Sequence, residues 1–275
     1  MQRIVVLTDS HRYVKGVYEF AEYISALTNS EITGVLIDPG HLSEAEYTGK
    51  ECCGKCTLKN QTADRCEPAM TKNADIKLPA SFNFHRSLNW LNTTASLFSA
   101  EQIIEESRFA DLLLIPSKFT KQTDQKAQDF FLKIMKEAEC PVVIASENFE
   151  TVDELVFSYD GTEAAAYAIK QFTYLFPQLS ETKAIFLLSD KKNEFNTIDH
   201  RKIGDYLKAH YSAVGFQQGT GELDSILTGK KNTLVVTGSH SQANASEDIA
   251  NHTIQKINYS LFISQRASKI PVLAG

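Results

Sequence analysis

The chain has 275 residues, a hydrophobic content of 43% and a formal net charge of -6. This length allows one large or two ordinary domains with a substantial core. The acidic balance argues against a general nucleic-acid binder, which needs lysine and arginine to neutralise phosphates. No apolar stretch approaches the roughly 20 residues that cross a bilayer, and the N-terminal residues lack the pattern of a secretory signal. We therefore expect a cytoplasmic protein that binds neither nucleic acid nor membranes.

The first half reads as alternating strands and helices. Arg3 to Thr8 is a short apolar run that ends at Asp9, and the apolar residues that follow are spaced three and four apart, as on one face of a helix. Ser99 to Gln102 has the sequence of a capping box at the start of another helix. Four further runs predict the remaining strands of this half: Glu31 to Asp38, Ser81 to Leu88, Ala110 to Ile115 and Cys140 to Ala145.

The second half repeats this order. Leu155 to Tyr159 predicts a buried strand, Asp160-Gly161-Thr162 a tight turn, and the apolar spacing from Ala165 to Phe176 an amphipathic helix capped by Thr162. Further strands are predicted at Lys183 to Ser189, Thr233 to Thr237 and Ile270 to Ala274. The matching order predicts an internal duplication, with domains at 1–147 and 152–275. The first domain carries an insertion of roughly thirty residues at about 40–78.

Four segments resemble the universal stress protein family. Val156 to Ala164 (VFSYDGTEA) resembles the start of such a domain, and Val235 to His240 resembles its fourth strand and the loop that follows. The Cys-Pro-Val and Ile-Pro-Val endings of the two halves are similar to its last strand. The resemblance implies an α/β fold with two tandem open parallel five-stranded sheets, order 3-2-1-4-5, flanked by helices. It also implies an intrachain pseudo-dimer that packs through the final strands, and it leaves a further homodimer open.

In such a sheet the ligand crevice lies where the strand order reverses, between strands one and four. Family members that bind ATP use an aspartate against the adenosine and glycines after strand four. The resemblance makes these residues the candidate nucleotide site of the second half: Asp160, Gly161, Gly238, Ser239, His240 and Ser241. Ser241 replaces the second glycine of the family pattern. The third glycine position of the pattern falls on Asn251-His252 by spacing, or on Asn258-Tyr259 when counted back from the last strand.

The first half departs further from that pattern. Asp9 and Pro116 would line its crevice, Pro116 and Phe119 replace the first two glycines, and Asp129 falls where phosphate would rest. Because proline donates no amide hydrogen and a carboxylate repels an anion, we predict that this half does not bind ATP. The chain then reads as a non-catalytic stress-response or regulatory binding module with degenerate nucleotide sites, and no catalytic residues are assigned. The alternative is an ATP-binding module that uses Asp160 and Gly238.

The insertion holds four of the five cysteines, namely Cys52, Cys53, Cys56 and Cys66. Cys53 and Cys56 have the separation that lets two thiolates bind one zinc ion or form a redox pair, and Cys66 could add a third ligand. Cys52 or His41 would complete four ligands. The competing interpretation is an exposed polar loop with adventitious thiols. A metal or redox site here would make the protein a metal- or redox-responsive sensor. This is a third hypothesis, beside the non-catalytic binding module and the ATP-binding module.

Overall fold

The structure, a computed structural model, describes residues 1–9, 14–37, 88–90, 98–121, 125–189, 197–219, 227, 230, 232–238 and 259–264. The strands of the first half are β1 (Arg3–Asp9), β2 (Glu31–Ile37), β3 (Leu88–Trp90), β4 (Leu112–Pro116) and β5 (Val142–Ala145). Those of the second half are β6 (Glu154–Tyr159), β7 (Lys183–Ser189), β8 (Val214–Gly219), β9 (Thr233–Gly238) and β10 (Ser260–Ser264). The helices are α1 (Lys15–Thr28), α2 (Ala100–Ser107), α3 (Ser117–Thr120), α4 (Gln125–Glu137), α5 (Glu163–Leu175) and α6 (Thr197–His210).

All ten strands form one sheet, in the order β3-β2-β1-β4-β5-β10-β9-β6-β7-β8. Within each half the strands are parallel and follow the predicted order 3-2-1-4-5. The prediction of two separate sheets needs correcting, because β5 and β10 pair antiparallel and join the halves into a single ladder. The joint is apolar, with Phe262 opposite Val143 and both side chains fully buried.

The fifth strand position of the second half is taken by a segment that the sequence pattern did not predict. Ile270 to Ala274 lies outside the described residues, and the strand that pairs with β9 is Ser260–Ser264. Its central residues, Leu261 to Ile263, are buried on both faces of the sheet, as expected for a strand with neighbours on each side. The sequence analysis did not predict a strand at this buried apolar run, which stands about ten residues before the Ile-Pro-Val motif.

Each face of the sheet carries one continuous apolar core that crosses from one half to the other. On one face α1, α5 and α6 pack on alternate strand residues such as Val6, Phe157 and Phe262. On the other face α2, α3 and α4 pack on the intervening residues, such as Leu7, Ile115 and Leu261. This alternation follows from the two-residue period of a strand. Both faces are therefore covered, as a parallel sheet requires.

Several local predictions are confirmed. Ser99 and Gln102 form the capping box of α2, each side chain accepting a backbone N–H of the other residue. The buried face of α1 includes Val17, Ala21 and Ile24, as the apolar spacing predicts. The seam between the halves is anchored by Phe149, whose ring packs edge-on against Phe20 of α1 at 4.7 Å. No described helix has the length and hydropathy of a membrane span.

Candidate functional site

The strand order reverses twice in this sheet, between β1 and β4 in the first half and between β6 and β9 in the second. In the first half α1, which follows β1, and α3, which follows β4, lie on opposite faces of the sheet. In an open parallel sheet the ligand crevice is expected beyond the carboxyl ends of the strands at such a reversal. Asp160 directly follows β6, and Gly238 ends β9. The structure therefore brings the two principal residues of the predicted second site to the same edge of the sheet.

The carboxylate of Asp160 is engaged in starting α5. Its Oδ1 atom accepts hydrogen bonds from the backbone N–H of Thr162 at 3.0 Å and from the Thr162 hydroxyl at 2.7 Å. The same hydroxyl accepts the N–H of Ala165 at 3.1 Å and caps the helix, as predicted. Gly161 between them has a φ of 83°, a left-handed conformation that suits glycine. Asp160 thus has a structural role without any ligand.

Gly238 is held against the first turn of α5. A methyl group on its α-carbon would lie 2.6 Å from the carbonyl oxygen of Ala164, closer than real side chains approach backbone. Glycine is required here because β9 and α5 touch through their backbones. The residue is buried, so its identity follows from helix–strand packing and needs no phosphate to explain it.

The first-half crevice is built differently. Pro116 ends β4 and leads into α3, and the side chain of Phe119 in α3 is fully buried, stacked on Phe131 of α4 at 5.1 Å between ring centroids. An aromatic core residue therefore occupies the position of the family's second glycine. Asp129 lies on the exposed side of α4 and accepts a hydrogen bond from Gln125 at 2.9 Å.

The two halves also differ at the start of their first helix. In the second half α5 begins at Glu163, three residues after Asp160, whereas in the first half α1 begins at Lys15, six residues after Asp9. The residue before α1, Val14, makes no side-chain cap. The tight Asp-Gly-Thr turn therefore occurs only once among the described residues.

Other predicted site residues lie outside the described part of the chain. These are Ser239, His240 and Ser241 after β9, and Cys53, Cys56 and Cys66 in the insertion. The nucleotide contacts of the first group and the zinc or redox role of the second remain predictions. Cys140, the one cysteine outside the insertion, is a buried free thiol just before β5.

Sequence inspection did not single out α6 and β8, which form the outer end of the sheet. Phe216 of β8 is 51% exposed and carries the ammonium group of Lys208 over its ring at 4.7 Å from the centroid. The spacing of Ile203 and Leu207 on α6 is the signal that could have found the helix. Only the alternation of Val214 and Phe216 marks the strand, and a pattern that short is weak.

The fold and its two crevices define an open α/β architecture in which the same strand order occurs in both halves of one chain. Among solved structures, the chain is similar to a universal stress protein from Archaeoglobus fulgidus DSM 4304, with a TM-score of 0.54 and 13% sequence identity. The match covers 96% of this chain and 98% of that one. No protein-family model and no curated protein sequence matches the chain. The similarity supports the fold, and the likeness extends over both halves.

Proposed function

We propose that the protein is a tandem universal stress protein-like module that acts in a stress response by binding other molecules, without catalysis, and that its nucleotide sites are degenerate. The observation that carries the proposal is that Asp160 and Gly238 both make contacts within the protein that account for them without a ligand. One oxygen of Asp160 already holds the turn into α5, and Gly238 lies against Ala164. Both residues that the family pattern assigns to nucleotide therefore have full structural explanations.

The first half supports the same conclusion. An ATP site after the fourth strand needs backbone N–H groups that close on phosphate, which glycines allow. Here Pro116 offers no N–H, and Phe119 is turned into the core against Phe131. The pseudo-dimer of the proposal corresponds to the β5–β10 ladder, where the two final strands meet.

One observation favours the second candidate, an ATP-binding module. The N-terminus of α5 lies at the strand-order reversal, next to Asp160 and to the end of β9, and a helix N-terminus there favours an anion. Nucleotide would then bind to the second half alone.

Calorimetric titration of the purified full-length chain with magnesium and ATP separates the two candidates. We expect no binding in the micromolar range. The variant Asp160→Asn and the control Asp153→Asn, which changes a carboxylate at the opposite end of β6, should behave like the wild type. Micromolar affinity that is lost in Asp160→Asn and kept in Asp153→Asn would establish the ATP-binding module instead.

The stress role needs its own test. Deletion of the gene in the source organism should reduce survival under at least one of nutrient, heat and oxidative stress, and the Asp160→Asn gene should restore it as well as the wild type does. Normal survival of the deletion strain under all three would contradict a stress role. Failure of the Asp160→Asn gene alone would tie the role to nucleotide.

A further inference from the structure

Helix α5 presents aromatic side chains to solvent. Four large hydrophobic side chains are exposed in the described part of the chain, and two of them, Tyr167 and Tyr174, lie on this one helix. Tyr174 is 67% exposed and Tyr167 is 38% exposed. Single exposed hydrophobic residues are common, but tyrosine is among the residues most enriched in protein–protein interfaces. Two tyrosines on one helix therefore mark α5 as a candidate interface.

The exposed residues of α5 form one narrow stripe. They are separated by steps of four, three and four residues, and they are Glu163, Tyr167, Lys170 and Tyr174. This spacing places them on one side of the helix, opposite the buried face that includes Phe172. It is also the spacing of the positions through which two helices pack side by side in a coiled coil. Helix α5 therefore has one face on the sheet and a second, narrower face suited to another helix.

The matching helix of the first half provides a comparison within the molecule. Counted from the first residue of α1, the same four positions are Lys15, Glu19, Glu22 and Ala26. None of these residues is aromatic, and Lys15 and Glu19 form an ion pair at 3.4 Å. Charged and small residues of this kind are usual on a helix face that contacts only water. The tyrosines of α5 are therefore not a requirement of the fold that the two halves share.

We propose that two copies of this chain associate through α5, with the two helices antiparallel and the two-fold axis midway between Tyr167 and Lys170. The four-three-four spacing is the same in both directions, so each exposed position of one α5 lies opposite an exposed position of the other. Tyr167 meets Lys170 twice, once on each side of the axis, and Tyr174 lies opposite the first turn of the other helix. A two-fold axis makes one patch complementary to itself, as symmetric dimers require.

The charges favour the antiparallel arrangement. The ammonium group of Lys170 would lie over the Tyr167 ring of the second copy, and a cation is attracted to the face of an aromatic ring. The chain already contains such a contact, between Lys208 and Phe216. In a parallel pair in register Lys170 would instead face its own copy, and like charges repel. A second copy suits this face better than an unrelated helix, because the stripe supplies both the ring and the cation of each contact.

The residues beside the stripe suit a close approach. Ala166 flanks it on one side, and its small side chain leaves room for a second helix. On the other side the hydroxyl of Ser264 donates a hydrogen bond to the side-chain oxygen of Gln171 at 2.6 Å, which holds Gln171 towards the sheet. The Tyr174 side chain lies near the Tyr206 hydroxyl on α6. The interface would therefore extend from α5 onto this neighbouring helix.

Sedimentation equilibrium of the full-length protein over a wide range of concentrations tests the proposal. We expect the mass of the wild type to rise to twice 30.7 kDa. Tyr167→Lys places a lysine opposite Lys170 on each side of the axis and should weaken self-association at least about tenfold. Phe109→Lys introduces the same charge at a residue that is exposed in the first half, and it should leave the dimer intact. A wild type that stays monomeric, or a Tyr167→Lys variant that dimerises as tightly as the wild type, would overturn the proposal.

A charge exchange tests the antiparallel register. The double variant Tyr167→Lys, Lys170→Glu places each new lysine opposite a new glutamate of the other copy and should recover most of the self-association that Tyr167→Lys loses. In a parallel pair lysine would still face lysine, so no recovery would follow. A double variant that associates no better than Tyr167→Lys would contradict the register.

Cross-linking keeps the test decisive if Tyr167→Lys does not fold. On mild oxidation, a mixture of Tyr167→Cys and Lys170→Cys should form a disulfide between residues 167 and 170 of different chains, identified by peptide mass, because these positions face each other across the interface. The other Tyr167–Lys170 contact of the mixed dimer is retained. A mixture of Phe109→Cys and Lys170→Cys is the control for random collision. Equal rates of cross-linking in the two mixtures would contradict the α5 interface.

Discussion

Gly238 and Ala164 touch through their backbones, so that the end of β9 rests on the first turn of α5. This contact sets the distance between the sheet and the helix at the second-half crevice. It also explains why glycine stands at position 238 without reference to a ligand. At Gly238 the edge of this crevice is therefore set by packing between β9 and α5, without any ligand.

Gly238→Ala should destabilise the protein by about 1–3 kcal/mol, because the added methyl group overlaps the backbone of Ala164 and β9 must shift. The free energy of unfolding in urea measures the effect. Gly215→Ala is the matched control, since a methyl group there would lie 3.8 Å from the Ala184 carbonyl oxygen, an ordinary contact. Equal stability of the two variants would show that the backbones at Gly238 and Ala164 are not in close contact.

Phe119→Ala should cost about 3–5 kcal/mol, because it removes a fully buried ring that stacks on Phe131. Phe109→Ala should change the free energy of unfolding by less than about 0.5 kcal/mol, since Phe109 is 71% exposed. Both are measured by denaturant unfolding. A small cost at Phe119 would mean that the first-half crevice is less filled than the structure shows.

The carboxylate of Glu154, at the amino end of β6, forms ion pairs with two lysines. The Nζ atom of Lys183 lies 2.7 Å from its Oε1 atom, and Lys230 binds its Oε2 atom. Burial raises the pKa of Glu154, but hydrogen bonds and charge from the two lysines outweigh it and hold the pKa below its ordinary value. A lowered pKa gives stability that is present above the unfolded-state pKa and is lost as the pH falls through the folded-state pKa.

Glu154→Gln should therefore lose roughly 1 kcal/mol at pH 7, and this loss should disappear as the pH falls well below 4.5. Unfolding curves of both proteins across the acid range give the difference. Glu139→Gln breaks the more exposed pair with Arg108 and should cost less at pH 7. A loss at Glu154 that does not vary with pH would point to packing instead of charge.

Cys140 should behave as an inert thiol. Burial, reinforced by the charge of Asp111, raises the pKa of its thiol to about 12. A raised pKa gives stability that is full below the unfolded-state pKa of about 8.5 and declines as the pH rises above it. The stability difference between the wild type and Cys140→Ala should thus shrink above that pH.

Alkylation provides an independent check on Cys140. Iodoacetamide should label this thiol only after unfolding, as read from peptide masses. Rapid labelling in the native protein would show that the site is more open than its 9% exposure indicates.

The local elements could be predicted because their signals are short in range. The Asp160-Gly161-Thr162 turn and the Ser99 capping box depend on hydrogen bonds between residues two or three apart, and both are present. The strand order also followed correctly, but through a family resemblance and not through spacing. The strand at Leu261 to Ile263 was missed, because the resemblance drew attention to the proline motif at 270–274, which lies outside the described residues.

The candidate site could be predicted less well, since its meaning depends on contacts between distant residues. A glycine after a strand fits a phosphate site and a close helix contact equally, and only the approach of Ala164 distinguishes them. In the same way, the sequence shows only that Phe119 stands at the position of a glycine in the family pattern. The structure shows that its ring packs against Phe131. The joining of the two sheets is also a long-range event, between residues such as Val143 and Phe262.

The β5–β10 ladder has a consequence for inheritance. Two lobes that share one polypeptide and one ladder are always present in equal number, and neither can exchange for a copy of the other. A subunit that pairs with itself must change both members of the pair at once. Here the first lobe carries Pro116 at the end of β4 and Phe119 just after it, while the second carries Gly238 at the end of β9, and every molecule has the same unequal combination.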